Sequence, residues 1–272
     1  METEPIVDLT DPRVAPYRNL RDATLAREHD RFIVEGRGNL LVLLDAGTMP
    51  PESILLSARA ARGLEDALAS QPVRCPVYVA EQGVMDAIAG FPIHRGVLAS
   101  CPRPAPVDPL ELAARLLDGP RPPRLVVLEG LTNHDNVGGV FRNAMGLGGD
   151  AVLLCPRTCD PLYRKAIRTS MGGSLRVPFA RASDFDAMLE GLSALGYRLL
   201  ALDPGPTATD LADLDAGILG PVALLLGTEG EGIRPATLAR ADRALRIEME
   251  PGVDSLNVSV AAAIALHRLR AG

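Results

Sequence analysis

No run of about 18 apolar residues occurs anywhere in the 272-residue chain, so the sequence offers no transmembrane helix. The opening METEPIVDLTDPRV is acidic and carries prolines. It lacks the basic-then-apolar order of a signal peptide, and a cytoplasmic location is expected. Cysteine is scarce: Cys75, Cys101, Cys155 and Cys159 form no CxxC pair and have no histidines at zinc-finger spacing. That pattern argues against zinc and for reduced, part-buried small residues. A Walker loop (GxxxxGK[ST]) is missing, and no GxGxxG follows the first strand of the C-terminal half, which disfavours nucleotide-phosphate and nicotinamide chemistry. No internal repeat or low-complexity tract is present. Positive charge is also in deficit, with 28 Lys and Arg against 34 Asp and Glu and a net charge of −6. Indiscriminate binding to nucleic acid relies on phosphate neutralisation, and this balance argues against it.

What is present describes a soluble globular protein, 47% hydrophobic and 23% charged, large enough for one big domain or two ordinary ones. Charge is unevenly distributed. Between Cys155 and Arg181 lie Arg157, Arg164, Lys165, Arg168, Arg176 and Arg181 against Asp160 alone, whereas acids dominate from Ala182 to Asp254. A local basic strip suits a selective polyanion contact, and it equally suits a solvated helix face.

Seven prolines crowd the stretch from Cys101 to Pro123, around one short helical segment, DPLELAARLL, with Asp108 as its cap and Pro109 at the first helical position. Proline disfavours continued helix or sheet, so this stretch is expected to join two domains. The boundaries follow: a smaller α/β domain over 1–105, a proline-rich linker over 106–123 and the main domain over 124–272. In the first, RFIVEG and PVYVA are expected strands, NLLVLLDAG is an apolar segment and SARAARGLEDALAS a helix. No nucleophile, base and orienting residue are arranged there, and binding or packing is its expected work. In the second, RLVVLE, AVLLC, YRLLALD, VALLLG and ALRIEM are short, continuous apolar runs, as parallel strands buried on both faces require. They alternate with the helix-like segments VGGVFRNAMGLG, PLYRKAIRTSM, DFDAMLEGLSALG and RPATLARA, and a last helix is expected from about Ser255. Alternation of this kind predicts a parallel-sheet α/β domain.

Three segments in that domain carry chemistry. In LTNHDNVGGVFRNAMGLGG, directly after RLVVLE, Asn133, Asp135 and Asn136 can turn or cap a helix and Gly138 and Gly139 allow close approach. Arg142 follows within two turns. A glycine-bearing loop at the C-terminal end of a strand is where open α/β sheets bind ligands. In VALLLGTEGEGI, Gly227 ends a buried strand and Glu229 sits among Gly230 and Gly232. An acid among glycines suits a ligand bearing positive charge better than a phosphate. In RIEMEPGVDSLNVSVAAAIALHRL, Ser255, Asn257 and Ser259 precede or open an apolar helix, where they can satisfy free backbone donors. Taken singly, each also reads as a helix start or a tight turn.

In this order, the three resemble the motifs of the SpoU (TrmH) family of RNA ribose methyltransferases. Asn136 to Arg142 is similar to its Asn-x-Gly-x-x-x-Arg motif, Gly227-Thr-Glu-Gly-Glu-Gly232 to its second, and Ile247 through Ser259 to its third. The segment from FIVEG to HRGVLA is similar to the family's substrate-binding domain. Thr228 and Glu248 depart from the Asn and Pro common at those places. The resemblance implies a trefoil-knotted C-terminal domain, a homodimer, S-adenosylmethionine as cofactor and ribosomal or transfer RNA as substrate, methylated at a ribose 2′-hydroxyl. It implies Arg142, Asn136, Glu229, Ser255 and Asn257 as catalytic residues, with Glu229 and Asn136 orienting the arginine and the substrate. Gly227, Ile247, Leu256 and Leu202 are implied as donor-binding residues, with no metal. His134 is expected in a turn, and His29, His94 and His267 take no role. Two other readings stay open, a base methyltransferase of the same knotted superfamily and a non-catalytic RNA-binding module.

Overall fold

A computed structural model describes residues 2–18, 21–71, 73–93, 95–205, 207–214, 220–253 and 255–270; His94 and Asp254, both named above, lie outside the described residues. The chain forms two compact units, Met1–Ala105 with Leu162–Arg176, and Pro106–Pro161 with Val177–Gly272. Among the described residues no helix is long and apolar enough to cross a membrane.

In the first unit the elements run β1 (Glu4–Ile6), α1 (Asp22–Glu28), β2 (Arg31–Glu35), α2 (Arg37–Ala46), β3 (Ser53–Ser57), α3 (Ala58–Ala69), β4 (Val77–Ala80), α4 (Gln82–Ala89) and β5 (Val97–Pro102). The sheet order is β1-β4-β3-β5-β2, with β1, β4 and β3 parallel and β5 antiparallel to both β3 and β2. NLLVLLDA, left above as an apolar segment, is the body of α2. Gly36 at φ 91° breaks it from β2, the Asn39 amide donates to the Glu35 carbonyl at 2.9 Å, and Gly47 at φ 65° ends it. β3 and β5 are not among the strands expected from the sequence. Every residue of β3 is buried, so SILLS shows none of the polar alternation that marks a half-exposed strand.

The second unit opens with α5 (Pro109–Leu117), whose cap is Asp108 as the sequence suggested: its carboxylate accepts from the Leu110 and Glu111 amides at 2.8 and 3.0 Å. It continues through β6 (Arg124–Leu128), α6 (His134–Leu147) and β7 (Ala151–Leu154). Two short helices, α7 (Arg164–Thr169) and α8 (Gly173–Arg176), then leave to join the first unit. The expected domain boundaries place this segment in the C-terminal domain. Its side chains bind elsewhere: Arg164 pairs with Asp22 at 3.1 Å, Arg176 pairs with Asp45, and Gly172 lies so near Val42 that an added Cβ would be 2.8 Å from it. Two of the six basic residues of the strip, Arg164 and Arg176, are thereby committed to ion pairs within that unit.

The chain re-enters the second unit with β8 (Phe179–Arg181), α9 (Phe185–Ala194), β9 (Arg198–Leu202), β10 (Thr209–Asp210), β11 (Val222–Leu226), α10 (Pro235–Leu238), β12 (Arg243–Arg246) and α11 (Val258–Arg270). All seven strands are parallel, in the order β10-β12-β9-β11-β6-β7-β8. Successive side chains point to opposite faces. Val126, Leu128, Val152, Leu154, Leu200, Leu224 and Leu226 pack beneath α6 and α11, and Leu125, Val127, Leu153, Leu199, Ala223 and Leu225 face α5 and α9. Two buried layers explain the unbroken apolar runs. The two- and three-residue strands β10 and β8 are too short to register as patterns.

Candidate active site

The three motif loops leave the C-terminal ends of β6, β11 and β12, and α6 and α11 bring two of them into contact. Asn133 caps α6 through the Asp135 amide at 2.8 Å. One turn in, Gly139 has no room for a side chain: a Cβ there would lie 2.7 Å from Ser259 Cβ. The same closeness lets the Asn143 amide donate to the Ser259 carbonyl at 2.6 Å. Glycine at 139 therefore sets the distance between α6 and α11.

Asn257 is the joint of the site. Its Nδ2 donates to Asn136 Oδ1 at 2.9 Å and to Glu229 Oε1 at 2.6 Å. Its Oδ1 accepts from the Ser259 amide at 3.0 Å and the Ser259 hydroxyl at 2.6 Å. Both donors and both acceptor positions of the amide are occupied, so its orientation is determined. One residue from each motif, separated by 121 and 28 positions, thus meets at a single side chain.

The loop after β11 closes on itself. Thr228 and Gly232 exchange both backbone hydrogen bonds at 3.1 Å, and Thr228 Oγ1 accepts from the Glu231 amide at 3.1 Å. A Cβ on Gly227 would lie 2.2 Å from the carbonyl carbon and oxygen of Gly232, so no larger residue fits there without opening the loop. Beside it lies a cavity of about 270 Å³, close to the lower end of the ~300–1,000 Å³ usual for small-molecule pockets. Leu202, Gly227, Ile247 and Leu256, expected from the sequence as a donor-binding set, all line it, as do Glu229 and Ser255. Asp203 and Arg246, which are not among the residues expected from the sequence, also line it. Arg246 Nε is buried and has no hydrogen-bond partner among the described residues. A signal for both was present, since each is a charged residue at the C-terminal end of an apolar strand.

Arg142 stands apart from this network. It lies six positions beyond Asn136 on α6, is exposed, and has no hydrogen-bond or ion-pair partner among the described residues. Six residues are about one and two-thirds helical turns, which puts Asn136 and Arg142 on different sides of the helix. Glu229 and Asn136, expected to orient Arg142, instead hold Asn257. Arg181, from the basic strip, is also already engaged: its guanidinium donates to the carbonyls of Cys155 at 2.9 Å and Thr158 at 2.6 Å.

A buried carboxylate that the sequence reading passed over lies just past β6. Glu129, 4% exposed, pairs with Arg234 and accepts from the Thr237 hydroxyl at 3.0 Å, while Arg234 also reaches Asp186 at 3.3 Å. The pairing fastens the end of β6 to the start of α10. The four cysteines are free, and burial pushes the Cys159 thiol up to about 11, which keeps it protonated and unreactive.

The chain is similar to known proteins. Residues 123–267 match the model of the SpoU rRNA Methylase family. A protein of Mycobacterium tuberculosis (strain H37Rv), named an uncharacterized tRNA/rRNA methyltransferase, is 38% identical over 279 residues, covering 100% of this chain and 93% of its own length. A second protein of that strain, named likewise, is 30% identical over 252 residues, covering 89% and 75%. Among solved structures, an RNA 2′-O ribose methyltransferase is 26% identical with a TM-score of 0.73, covering 98% of both chains. An AdoMet-bound rRNA methyltransferase from Sinorhizobium meliloti is alike in fold, with a TM-score of 0.80 at 23% identity over 98% of this chain and 97% of its own. Because the family match runs from the start of β6 into α11 and so takes in every one of the motif loops, the chain belongs to the SpoU rRNA methylase family.

Proposed function

We propose that this protein is an S-adenosylmethionine-dependent methyltransferase acting on ribosomal or transfer RNA, and that it methylates a ribose 2′-hydroxyl. The observation that carries the reading is the convergence of Asn136 and Glu229 on Asn257, with Glu229 also lining a cavity formed by Leu202, Gly227, Ile247 and Leu256. The lining fits the cofactor. Leu202, Ile247 and Leu256 offer apolar surface for a flat base, the closed glycine loop offers backbone groups at its edge, and Asp203 and Glu229 offer negative charge for a sulfonium. S-adenosylmethionine, when bound there, supplies an electrophilic methyl group on positively charged sulfur.

The protein's own share is placement. Asn257, locked by four hydrogen bonds, holds Glu229 and the first turn of α6 in fixed relation to the cavity. Ser255 and Leu256 shape its mouth. Arg142, exposed and unpaired among the described residues, is available to clamp a phosphate and the neighbouring ribose with its planar fork of donors. A guanidinium holds its proton firmly and is a positioner before it is a base, and holding the 2′-oxygen in line with the methyl can supply much of the rate. The first unit takes the role of RNA substrate binding.

Product analysis tests the ribose assignment. A methyl on the 2′-oxygen blocks the intramolecular attack by which alkali cleaves RNA, so alkaline digestion of modified RNA is expected to leave one resistant dinucleotide per site. Complete digestion, with mass spectrometry finding the methyl on a base, would replace the ribose reading by the base-methylating one.

The same reading includes a homodimer. On α11, Val260 (47% exposed) and Ile264 (40% exposed) stand one turn apart on the side away from buried Ala262, Ala265 and Leu266. An exposed apolar pair on an otherwise packed helix is what a two-fold partner would cover. Sedimentation is expected to give twice the 28.8 kDa chain mass at micromolar concentration. A monomer under those conditions defeats this part.

A further inference from the structure

We infer that the first unit carries an RNA-phosphate site in a cavity bounded by Arg37, Arg59 and Arg95, a deepening that rests on the proposed action on RNA. The cavity, about 520 Å³, lies wholly within that unit, and Ser57 and Gln82 also line it. Among the described residues no Asp or Glu lines it, Glu35 and Glu81, the acids preceding α2 and α4, included. In a chain of net charge −6 this is a concentrated positive surface.

The arginines there are uncommitted. Arg13, Arg31, Arg164 and Arg176 of the same unit are each held in ion pairs. Arg37, Arg59 and Arg95 are exposed and have no hydrogen-bond or ion-pair partner among the described residues. Guanidinium groups left unpaired around a concave surface match phosphate oxygens, which they bind in bidentate fashion.

The backbone is arranged to the same end. Arg37 is the first residue of α2, Gln82 the first of α4, and Ser57 the cap of α3, accepting from the Ala60 amide at 3.1 Å. Three helices of eight residues or more therefore begin at this cavity, each adding partial positive charge to that of the arginines. Glycine at 96 keeps the junction open: its φ is +58°, and a Cβ would lie 2.1 Å from Ser57 Oγ. Gly36, at φ +91°, turns the chain so that Arg37 and Arg95 come to one mouth, with Arg95 Cδ 3.5 Å from where a Gly36 Cβ would be.

Three separated guanidiniums at an open mouth suit consecutive phosphates of a strand rather than one small anion. The test uses the full chain and a labelled oligouridylate, which probes backbone recognition without sequence, titrated at several KCl concentrations. Replacing Arg37, Arg59 and Arg95 together by alanine is expected to weaken binding about tenfold or more near physiological salt. It should also reduce the slope of log affinity against log salt by about 2, at ~0.7 per lost single-strand contact. The triple lysine variant, which retains the charges, should recover most of that slope, and this separates charge from folding. Unchanged slope and affinity in the alanine variant would overturn the inference. So would a result in which inorganic phosphate stabilises only the wild-type protein while oligouridylate binding is unaltered, since that describes a small-anion pocket. Donor binding by calorimetry keeps the two readings apart: a wild-type chain that fails to bind S-adenosylmethionine defeats the proposed function, while the salt slope still decides this site.

Discussion

Arg142→Ala is expected to reduce methyl transfer by about 10²–10³-fold or more, the loss typical of removing one well-placed cationic or oxyanion-binding donor, while leaving the fold and cofactor affinity close to wild type. The expectation rests on an asymmetry. Arg142 is exposed and engages no described residue, so its removal opens no cavity and strands no buried partner. Yet it stands on α6, the helix that also supplies Asn136 to the hydrogen bonds of Asn257. A side chain with no structural duty in such a place is free to serve the substrate. Arg142→Lys should also be poor, because an ammonium is a point charge and cannot reproduce a two-pronged contact to phosphate and ribose. The measurement is single-turnover transfer of labelled methyl to RNA, with calorimetry of S-adenosylmethionine and a thermal melt on the same preparations. Near-normal turnover in Arg142→Ala would end the assignment while leaving the family untouched.

Gly227→Ala is expected to weaken S-adenosylmethionine binding about 100-fold or beyond detection, a loss of ~2.7 kcal/mol or more. A single methyl is a small change in most loops. Here it would lie 2.2 Å from the Gly232 carbonyl, and that atom belongs to backbone held by the paired Thr228 and Gly232 hydrogen bonds. Neither side can swing away as a flexible side chain would, so the loop has to open. Opening displaces Gly227, Thr228, Glu229, Gly230 and Gly232, all of which line the cavity. The buried body of β11, Val222–Leu226, precedes the clash, so a cooperative melt should persist at reduced temperature. A folded Gly227→Ala protein with wild-type donor affinity would mean that the cofactor pocket lies elsewhere.

The two predictions draw on different kinds of legibility. Glycine at 227 and arginine at 142 stand out in the sequence because each is anomalous where it occurs. One interrupts an apolar run and the other follows a paired glycine. What each does was not legible. The sequence suggested that Glu229 and Asn136 orient Arg142, yet both bond to Asn257. The basic run from Arg157 to Arg181 drew notice as a polyanion surface, yet Arg164, Arg176 and Arg181 are engaged with protein groups. Arg37, Arg59 and Arg95, which line one cavity of the first unit, are scattered through the sequence and form no run at all.

By itself the sequence determined the parallel character of the second unit's sheet, the position of α5 and its cap, and the three motif loops. These are properties of adjacent residues: unbroken apolar runs demand burial on both faces, Asp108 and Pro109 prefer one backbone geometry, and glycines permit turns that other residues resist. Only the tertiary structure decided that β11 lies between β6 and β9, that 162–176 leaves its neighbours for the first unit, and that Asn136, Glu229 and Asn257 share hydrogen bonds. The reason is physical. Which distant segments become neighbours depends on how whole faces pack and which polar groups find partners, and a local pattern records that a side chain needs a partner without recording which one.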